Sequence, residues 1–325
     1  MPDKSVFNPQ SVAMSILAGF AGAAVFAVLA RGGGFGGLLL GHLAPLPIMI
    51  VALGLGVVHG ATSALVATTV LTVWPHPMIG IAYGLLFALP AWLAAYAACG
   101  APRGGRDLVA SRLPGWATLA PAAALAAIVI GWMVAATLLF GSFDEALNPI
   151  RARAFIVLDQ ILKSQEFGEK FDPAPLSGVL ARAMPAILAS YMLLLHALNL
   201  WIAGRLAQLS GMLTRPWPDI AKEYALPRAA AAIFGAGIAL SFLGGLPGAA
   251  GLALALPFGL ALAFQGLAVV HLWLRGSKSS MLVLSIVYFI LGLLGWPLIL
   301  FAFLGAADTI YAYRDRKKPA PQPRE

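Results

Sequence analysis

The sequence is poor in charged residues and nearly free of cysteine. Of its 325 residues, 21 are Lys or Arg and 13 are Asp or Glu, whereas 60% are hydrophobic. Because a soluble globular domain has about 25% charged residues, this composition excludes that class and indicates a membrane protein. Cys99 has no second cysteine to pair with in the chain, which excludes an internal disulfide.

Sequence motifs that carry catalytic chemistry are also missing. The chain has no CxxC, CxxCH or HExxH, which excludes thiol redox relays, c-type haem and zincin-type zinc sites. It has no GxxxxGK[ST] loop for ATP, no GxSxG elbow and no paired Asp-rich magnesium motifs. Asp308 is the one carboxylate within an apolar stretch, so two aspartates cannot face each other there. We therefore predict no enzyme activity, no catalytic residue, no metal and no cofactor.

Long apolar stretches dominate what is present. About 20 apolar residues cross a bilayer, and lipid offers no water to satisfy an open sheet edge. We therefore predict an all-α, polytopic transmembrane helix bundle with about nine apolar segments, or roughly 8 to 10 crossings. The stretches run near residues 11–30, 38–57, 59–74, 78–99, 117–140, 176–204, 229–246, 250–274 and 279–311. Residues 1–313 are expected to form one integral domain, and residues 314–325 a basic, disordered cytoplasmic tail.

The placement of Lys and Arg predicts the orientation. The net charge of +8 arises from short basic clusters between apolar runs. The positive-inside rule explains these clusters better than nucleic-acid binding, so no nucleic-acid partner is predicted. We expect a multi-pass protein of the bacterial inner membrane with a cytoplasmic N-terminus. The stretch 279–311 is either a hairpin broken at Gly295–Pro297, which keeps the C-terminus cytoplasmic, or one kinked span.

Two segments between the apolar stretches have unusual compositions. Residues 141–174 hold six of the 13 acidic residues and are predicted to be extracytoplasmic. Apolar residues at helical spacing within them predict an amphipathic helix, which is either a lid over a binding site or a plain connector. The glycine-rich run Arg31–Gly41 is either a flexible outer loop close to a ligand or a tight connection.

A few polar residues lie at bilayer depth. His196 and Asn199 share a face of the sixth stretch, and Gln265 lies in the eighth. Such side chains either bind a ligand or join helices by hydrogen bonds. We predict that these three residues contribute to ligand binding.

A face of small residues marks the first stretch. Gly19, Ala23 and Ala27 follow one another at four-residue spacing. Such a face allows another helix to approach closely. We predict that it packs against a partner helix.

Five short segments, in order, resemble the YybS-like family of bacterial integral membrane proteins, over about residues 11 to 316. They are APLPIMIVALGLG (44–56), LNLW (198–201), RPWPD (215–219), GLAVVH (266–271) and LGAAD (304–308) with Tyr311 and Arg314. The resemblance implies a fold shared with the substrate-binding S-components of energy-coupling-factor vitamin transporters. It also implies a separate coupling subunit, contacted by the face of Gly19, Ala23 and Ala27, and a separate ATPase. Two features depart from it: more than six spans and a long charged outer connection.

These observations lead to one functional hypothesis and its alternatives. We expect a small-molecule-binding or transport-associated membrane component without an ATPase of its own, embedded in the lipid bilayer. The first alternative is a membrane scaffold that recruits cell-envelope or other partners and binds no ligand. A second alternative is an enzyme that acts on a lipid substrate.

Overall fold

A computed structural model describes residues 8–31, 34–99, 113–164, 172–213 and 216–316. These residues form helices and connections without any strand, which confirms the all-α prediction. In the first half of the chain, the helices are α1 (Pro9–Ala30), α2 (Gly34–Gly41), α3 (Leu46–Leu55), α4 (Val57–Val73), α5 (Pro77–Tyr83), a π-helix (Gly84–Ala88), α6 (Leu89–Cys99), α7 (Leu113–Phe140), α8 (Phe143–Ala146) and α9 (Asn148–Lys163). The second half contains α10 (Pro173–Leu209), α11 (Ile220–Glu223), α12 (Arg228–Ser241), α13 (Gly245–Trp273), α14 (Ser280–Leu294), α15 (Leu298–Tyr311) and α16 (Tyr313–Arg316).

The number of helices able to cross a membrane is smaller than predicted. Within the described residues, five helical runs are long and apolar enough: Pro9–Leu29, Pro77–Cys99, Gly115–Phe140, Pro173–Leu209 and Gly245–Trp273. The apolar helices α3, α4, α12, α14 and α15 have only 10–17 residues. Because about 20 residues are needed to cross the hydrocarbon core, about nine crossings are not confirmed.

Helix α13 lies at the centre of the bundle. In its most apolar window, 72% of the residues are buried, and it packs against α7, α10, α12 and α15. Glycines bring α13 and α15 into backbone contact. A Cβ at Gly266 would overlap the carbonyl oxygen of Phe301, and one at Gly305 would overlap that of Leu262. Small residues therefore set the distance between these two helices, as is common in membrane bundles.

The small-residue face of α1 packs within the chain. A Cβ at Gly19 would overlap Ser63 and Val66 of α4. Ala23 is buried in the core, and Ala27 packs against that core. Within the chain, α4 therefore packs against Gly19, the first residue of this face.

The predicted stretch 38–57 is broken in the structure. Helix α2 ends at Gly41 and α3 begins at Leu46, with Pro45 as its N-cap residue. Proline lacks the N–H that would continue the α2 ladder, but it suits the first positions of a new helix. The glycine-rich run, predicted to be a loop or connector, is helical from residue 34 onward. An apolar environment favours internal backbone hydrogen bonds, even in glycine.

The last apolar stretch is also broken, at the predicted position. Gly295 has a φ of 68°, a conformation that favours glycine, and Pro297 starts α15. Both ends of the stretch approach the same segment. Arg275 is 2.9 Å from Asp219, and Arg314 donates to the carbonyl oxygen of Ala221 at 3.1 Å. This arrangement favours the hairpin over a single kinked span.

Two further predictions concern the connection after α7 and the C-terminal tail. The connection after α7 contains the predicted amphipathic helix, as α9, and none of the residues in α9 is buried. The first residues of the predicted tail, 314–316, belong to α16, and Arg314 is bound to the bundle. Residues 165–171 of the connection and 317–325 of the tail lie outside the described residues.

The hairpin can be tested by cysteine accessibility in whole cells, with Cys99→Ser as the background. Because both ends of the hairpin meet one segment, we expect Ser277→Cys and Gln322→Cys to behave alike. A membrane-impermeant maleimide should label neither until the membrane is permeabilised. Ser164→Cys, in the connection predicted to be extracytoplasmic, serves as the control and should react at once. Labelling of positions 277 and 322 from opposite sides would contradict the hairpin.

Candidate functional site

His196 and its neighbours join α10 to the π-helix. His196 is 1% exposed, and its Nε2 lies 2.9 Å from the carbonyl oxygen of Leu86. Since a carbonyl can only accept, Nε2 carries the proton, and Nδ1 of the neutral ring is an acceptor. Nδ1 has no partner among the described residues. A π-turn shifts the hydrogen-bond register of a helix, which leaves a carbonyl such as that of Leu86 available to a neighbouring side chain.

Asn199 supports the break between α2 and α3. Its Nδ2 donates to the carbonyl oxygens of His42, at 2.8 Å, and Leu195, at 2.9 Å. Tyr83 donates similarly to the carbonyl oxygen of Ala44. Non-helical backbone at membrane depth must be satisfied by neighbouring groups. In the structure, Asn199 and Tyr83 therefore serve as hydrogen-bond donors to the broken segment.

Gln265 belongs to a different cluster from His196 and Asn199. Its Oε1 accepts from the backbone N–H of Leu226 at 2.8 Å, and its Nε2 donates to Asp308 Oδ2 at 2.8 Å. No hydrogen bond within the described residues joins it to His196 or Asn199. The three residues predicted to bind a ligand are thus divided between two places.

Asp308 and Arg314 form a buried ion pair beside Gln265. Their side chains are 3% and 9% exposed, and the Nε of Arg314 donates to Asp308 Oδ2 at 2.8 Å. The remaining guanidinium nitrogens donate to the carbonyl oxygens of Ala221 and Tyr224. Arg314 therefore ties the connection between α10 and α12 to the end of α15.

Tyr224 is the second anchor of this connection. Its hydroxyl donates to the carbonyl oxygen of Ala261 at 3.0 Å and contacts the hydroxyl of Thr118. Trp217, at the start of the connection, lays its indole ring over Gly204, where a Cβ would overlap the ring. Sequence reasoning missed all of these roles. The available signal was an arginine six residues after the one carboxylate in an apolar stretch.

The anchored connection forms one wall of a cavity of about 670 Å³ at this end of the bundle. The other walls come from α3, α6, α7, α10, α13 and α14. The apolar lining includes Leu53, Leu200, Phe264 and Leu267, the aromatic lining includes Trp201, Trp217 and Tyr288, and the polar lining includes Thr118, Glu223, Tyr224 and His271. A mostly apolar cavity with a few polar groups is the usual form of a small-molecule site.

Most polar groups of the lining already have partners. The hydroxyls of Thr118 and Tyr224 bond to each other and to helix carbonyls. His271 uses Nδ1 to donate to the carbonyl oxygen of Leu267 at 3.0 Å, which leaves Nε2 as an acceptor. Glu223 accepts from the backbone N–H of Asp219 through Oε1 at 2.9 Å. Nε1 of Trp217 is buried and has no partner among the described residues. The polar groups left over therefore include acceptors on His271 and Glu223 and the indole N–H donor of Trp217.

Charged residues beside the cavity are engaged in pairs. Arg275 donates two hydrogen bonds to Asp219, at 2.9 and 3.0 Å. This contact with a cation lowers the pKa of Asp219 below the usual value of an aspartate, so the pair stays ionised at neutral pH. Arg205 lies over the ring of Trp201, 5.9 Å from its centroid. Arg275 and Asp219 therefore neutralise each other, and the guanidinium of Arg205 is covered by the ring of Trp201.

The structure gathers the short segments quoted from the sequence around this cavity. RPWPD supplies Trp217, LNLW supplies Trp201 and GLAVVH supplies His271. LGAAD supplies Asp308, which holds Arg314. Within the described part of the chain, no group of three His, Cys, Asp or Glu residues could hold a metal ion. The chemistry available here is binding by apolar contact and hydrogen bonding.

Comparison with known proteins identifies a family whose description names no activity. Residues 23–309 match the sequence model of a family described as "Predicted membrane protein (DUF2232)". No curated protein and no solved structure matches the chain.

The buried ion pair can be tested by Asp308→Asn. This change leaves the guanidinium of Arg314 in a buried position without its counter-charge, which costs about 3 to 5 kcal/mol of stability. The matched control is Asp159→Asn. Asp159 pairs with Lys163 on the exposed face of α9, and the pair is worth about 0.3 to 0.5 kcal/mol.

We expect a much larger drop in unfolding temperature, measured in detergent, for Asp308→Asn than for Asp159→Asn. Equal drops would show that the ion pair is not an anchor. Asp308→Asn combined with Arg314→Met should recover part of the loss, because an apolar residue tolerates burial.

Proposed function

We propose a function from the cavity, because the chain belongs to the DUF2232 family of predicted membrane proteins and that description names no activity. The protein binds a small, largely apolar molecule between α10, α13, α14 and the part of the connection from Pro216 to Tyr224. The observation that carries the proposal is the cavity of about 670 Å³ with its aromatic walls. Ligand pockets commonly measure about 300 to 1,000 Å³.

The position of the cavity supports a role in handling molecules from the membrane. One wall is α14, none of whose residues is buried, so this wall is a single helix between the cavity and the surroundings of the bundle. Such surroundings are lipid for an apolar helix. An apolar molecule dissolved in the bilayer could therefore reach the cavity beside α14.

We propose that this chain catalyses no reaction and does not itself use ATP. The sequence lacks the corresponding motifs. The free polar groups of the described lining include acceptors on His271 and Glu223 and the indole N–H of Trp217. We propose an association with transport, in the bacterial inner membrane, in which a coupling subunit and an ATPase would be separate chains, as the likeness to the YybS-like family and to S-components implies. Because α4 covers Gly19 and Ala23 is buried in the core, the coupling subunit would bind elsewhere.

The contribution of His196 and Asn199 to ligand binding remains a prediction. Nδ1 of His196 and Oδ1 of Asn199 are buried acceptors without partners among the described residues. Neither residue lines the cavity, whereas Leu200 and Trp201 on the same helix do. Any effect of these two residues on the cavity would be indirect, because they would act by changing the position of α10.

The proposal can be tested with substitutions that fill the cavity, followed by a measurement of the molecule that stays bound. Ala197 and Ala98 line the cavity and are only partly buried, so Ala197→Trp and Ala98→Phe should occupy its volume. The control is Leu198→Trp, since Leu198 neighbours Ala197 but is 49% exposed and does not line the cavity. Native mass spectrometry of each detergent-extracted protein reports bound small molecules.

We expect a bound molecule on wild-type protein and on Leu198→Trp, and loss of it from both filled variants when these remain monodisperse. Retention of the same molecule by the filled variants would refute the cavity as its site. An empty wild-type protein that co-purifies with cell-envelope proteins would favour the scaffold alternative.

A further inference from the structure

The polar groups of the cavity also bear on the charge of the ligand. The lining residues that the structure describes include one carboxylate, Glu223, and no Lys or Arg. This contrasts with the chain as a whole, which carries a formal net charge of +8. A ligand with a negative charge would meet no Lys or Arg side chain among these described lining residues.

The hydrogen-bonding groups left free in the described lining include both acceptors and a donor. Nε2 of His271 is an acceptor in the neutral ring, because Nδ1 donates to Leu267. Oε1 of Glu223 accepts a backbone N–H, and Oε2 has no partner among the described residues. The buried Nε1–H of Trp217 is a donor without a partner among the described residues. Hydrogen bonding therefore does not set the sign of the ligand's charge, whereas the carboxylate of Glu223 favours a positive one.

Aromatic rings complete the argument. Trp217, Phe264 and Tyr288 line the cavity, and the faces of such rings attract cations, more strongly where water is excluded. The same chemistry occurs beside the cavity, where the guanidinium of Arg205 lies over Trp201. Rings and a carboxylate together are the usual recognition elements for organic ammonium groups.

We infer that the cavity binds a hydrophobic organic cation, with its apolar body among the aromatic walls and its charge near Glu223. The inference rests on the proposed function and adds the sign of the ligand's charge. It is independent of any particular natural ligand.

Matched probes of opposite charge test the inference. Tetraphenylphosphonium and tetraphenylborate have nearly the same size and shape but opposite charge, and triphenylphosphine oxide is a neutral relative. Each is titrated against the protein in lipid nanodiscs, with binding to empty nanodiscs subtracted. Quenching of tryptophan fluorescence gives a second readout, because Trp201 and Trp217 line the cavity.

We expect saturable binding of tetraphenylphosphonium, at least tenfold tighter than that of tetraphenylborate. Glu223→Gln should weaken the cation about tenfold, because the substitution keeps an acceptor but removes the charge. Glu145→Gln, on α8 and outside the cavity lining, is the matched control and should leave the affinity unchanged.

The outcomes separate this inference from the proposed function. Equal binding of both ions, or an unchanged affinity in Glu223→Gln, overturns the cation assignment. In that case loss of probe binding in Ala197→Trp would still uphold the cavity as a binding site. Absence of saturable binding for all three probes overturns the inference, and an empty cavity in native mass spectrometry would then remove the proposed function as well.

Discussion

The Asp308 carboxylate is buried near the end of α15, with 3% of its side chain exposed. A buried charge is strongly unfavourable unless it is paired and fully hydrogen-bonded. Asp308 receives donors from Gln265 on α13 and from the side chain and backbone of Arg314. Arg314 in turn binds the carbonyl oxygens of Ala221 and Tyr224. One buried carboxylate therefore fixes α13, the C-terminal end of α15 and the connection that walls the cavity.

Polar groups elsewhere in the bundle must also be hydrogen-bonded, because lipid offers them no partner. Where α2 ends and α3 begins, the carbonyl of His42 accepts from Asn199 and that of Ala44 accepts from Tyr83. The π-helix offers a carbonyl to His196. These side chains allow a helix to break or widen at depth without leaving its backbone unsatisfied. The irregular places of the fold are thus held by polar residues of α10 and α5.

The sequence predicts the helical class and most helix positions, because apolar runs in lipid must be helical. It predicts the break at Gly295–Pro297 only as one of two alternatives, since proline in membrane helices is also tolerated as a kink. The number of crossings is not predictable from apolar length, because a ten-residue apolar helix such as α3 can be buried within a bundle without crossing it. Gln265 was identified as a polar residue at depth, but its partners are Asp308 of α15 and Leu226, two residues before α12, and both are far away in sequence. The cavity depends on such distant contacts, so its lining emerged only from the structure.

Hydrogen–deuterium exchange of purified wild-type and Asp308→Asn protein tests the central claim most directly. Because Arg314 holds Ala221 and Tyr224 through Asp308, the account predicts faster exchange of the amides from Ile220 to Leu226 in the variant. The amides of the surface helix α9, which has no buried residue, should exchange at the same rate in both proteins. Unchanged exchange from Ile220 to Leu226 would contradict the claim that this buried carboxylate holds the wall of the cavity.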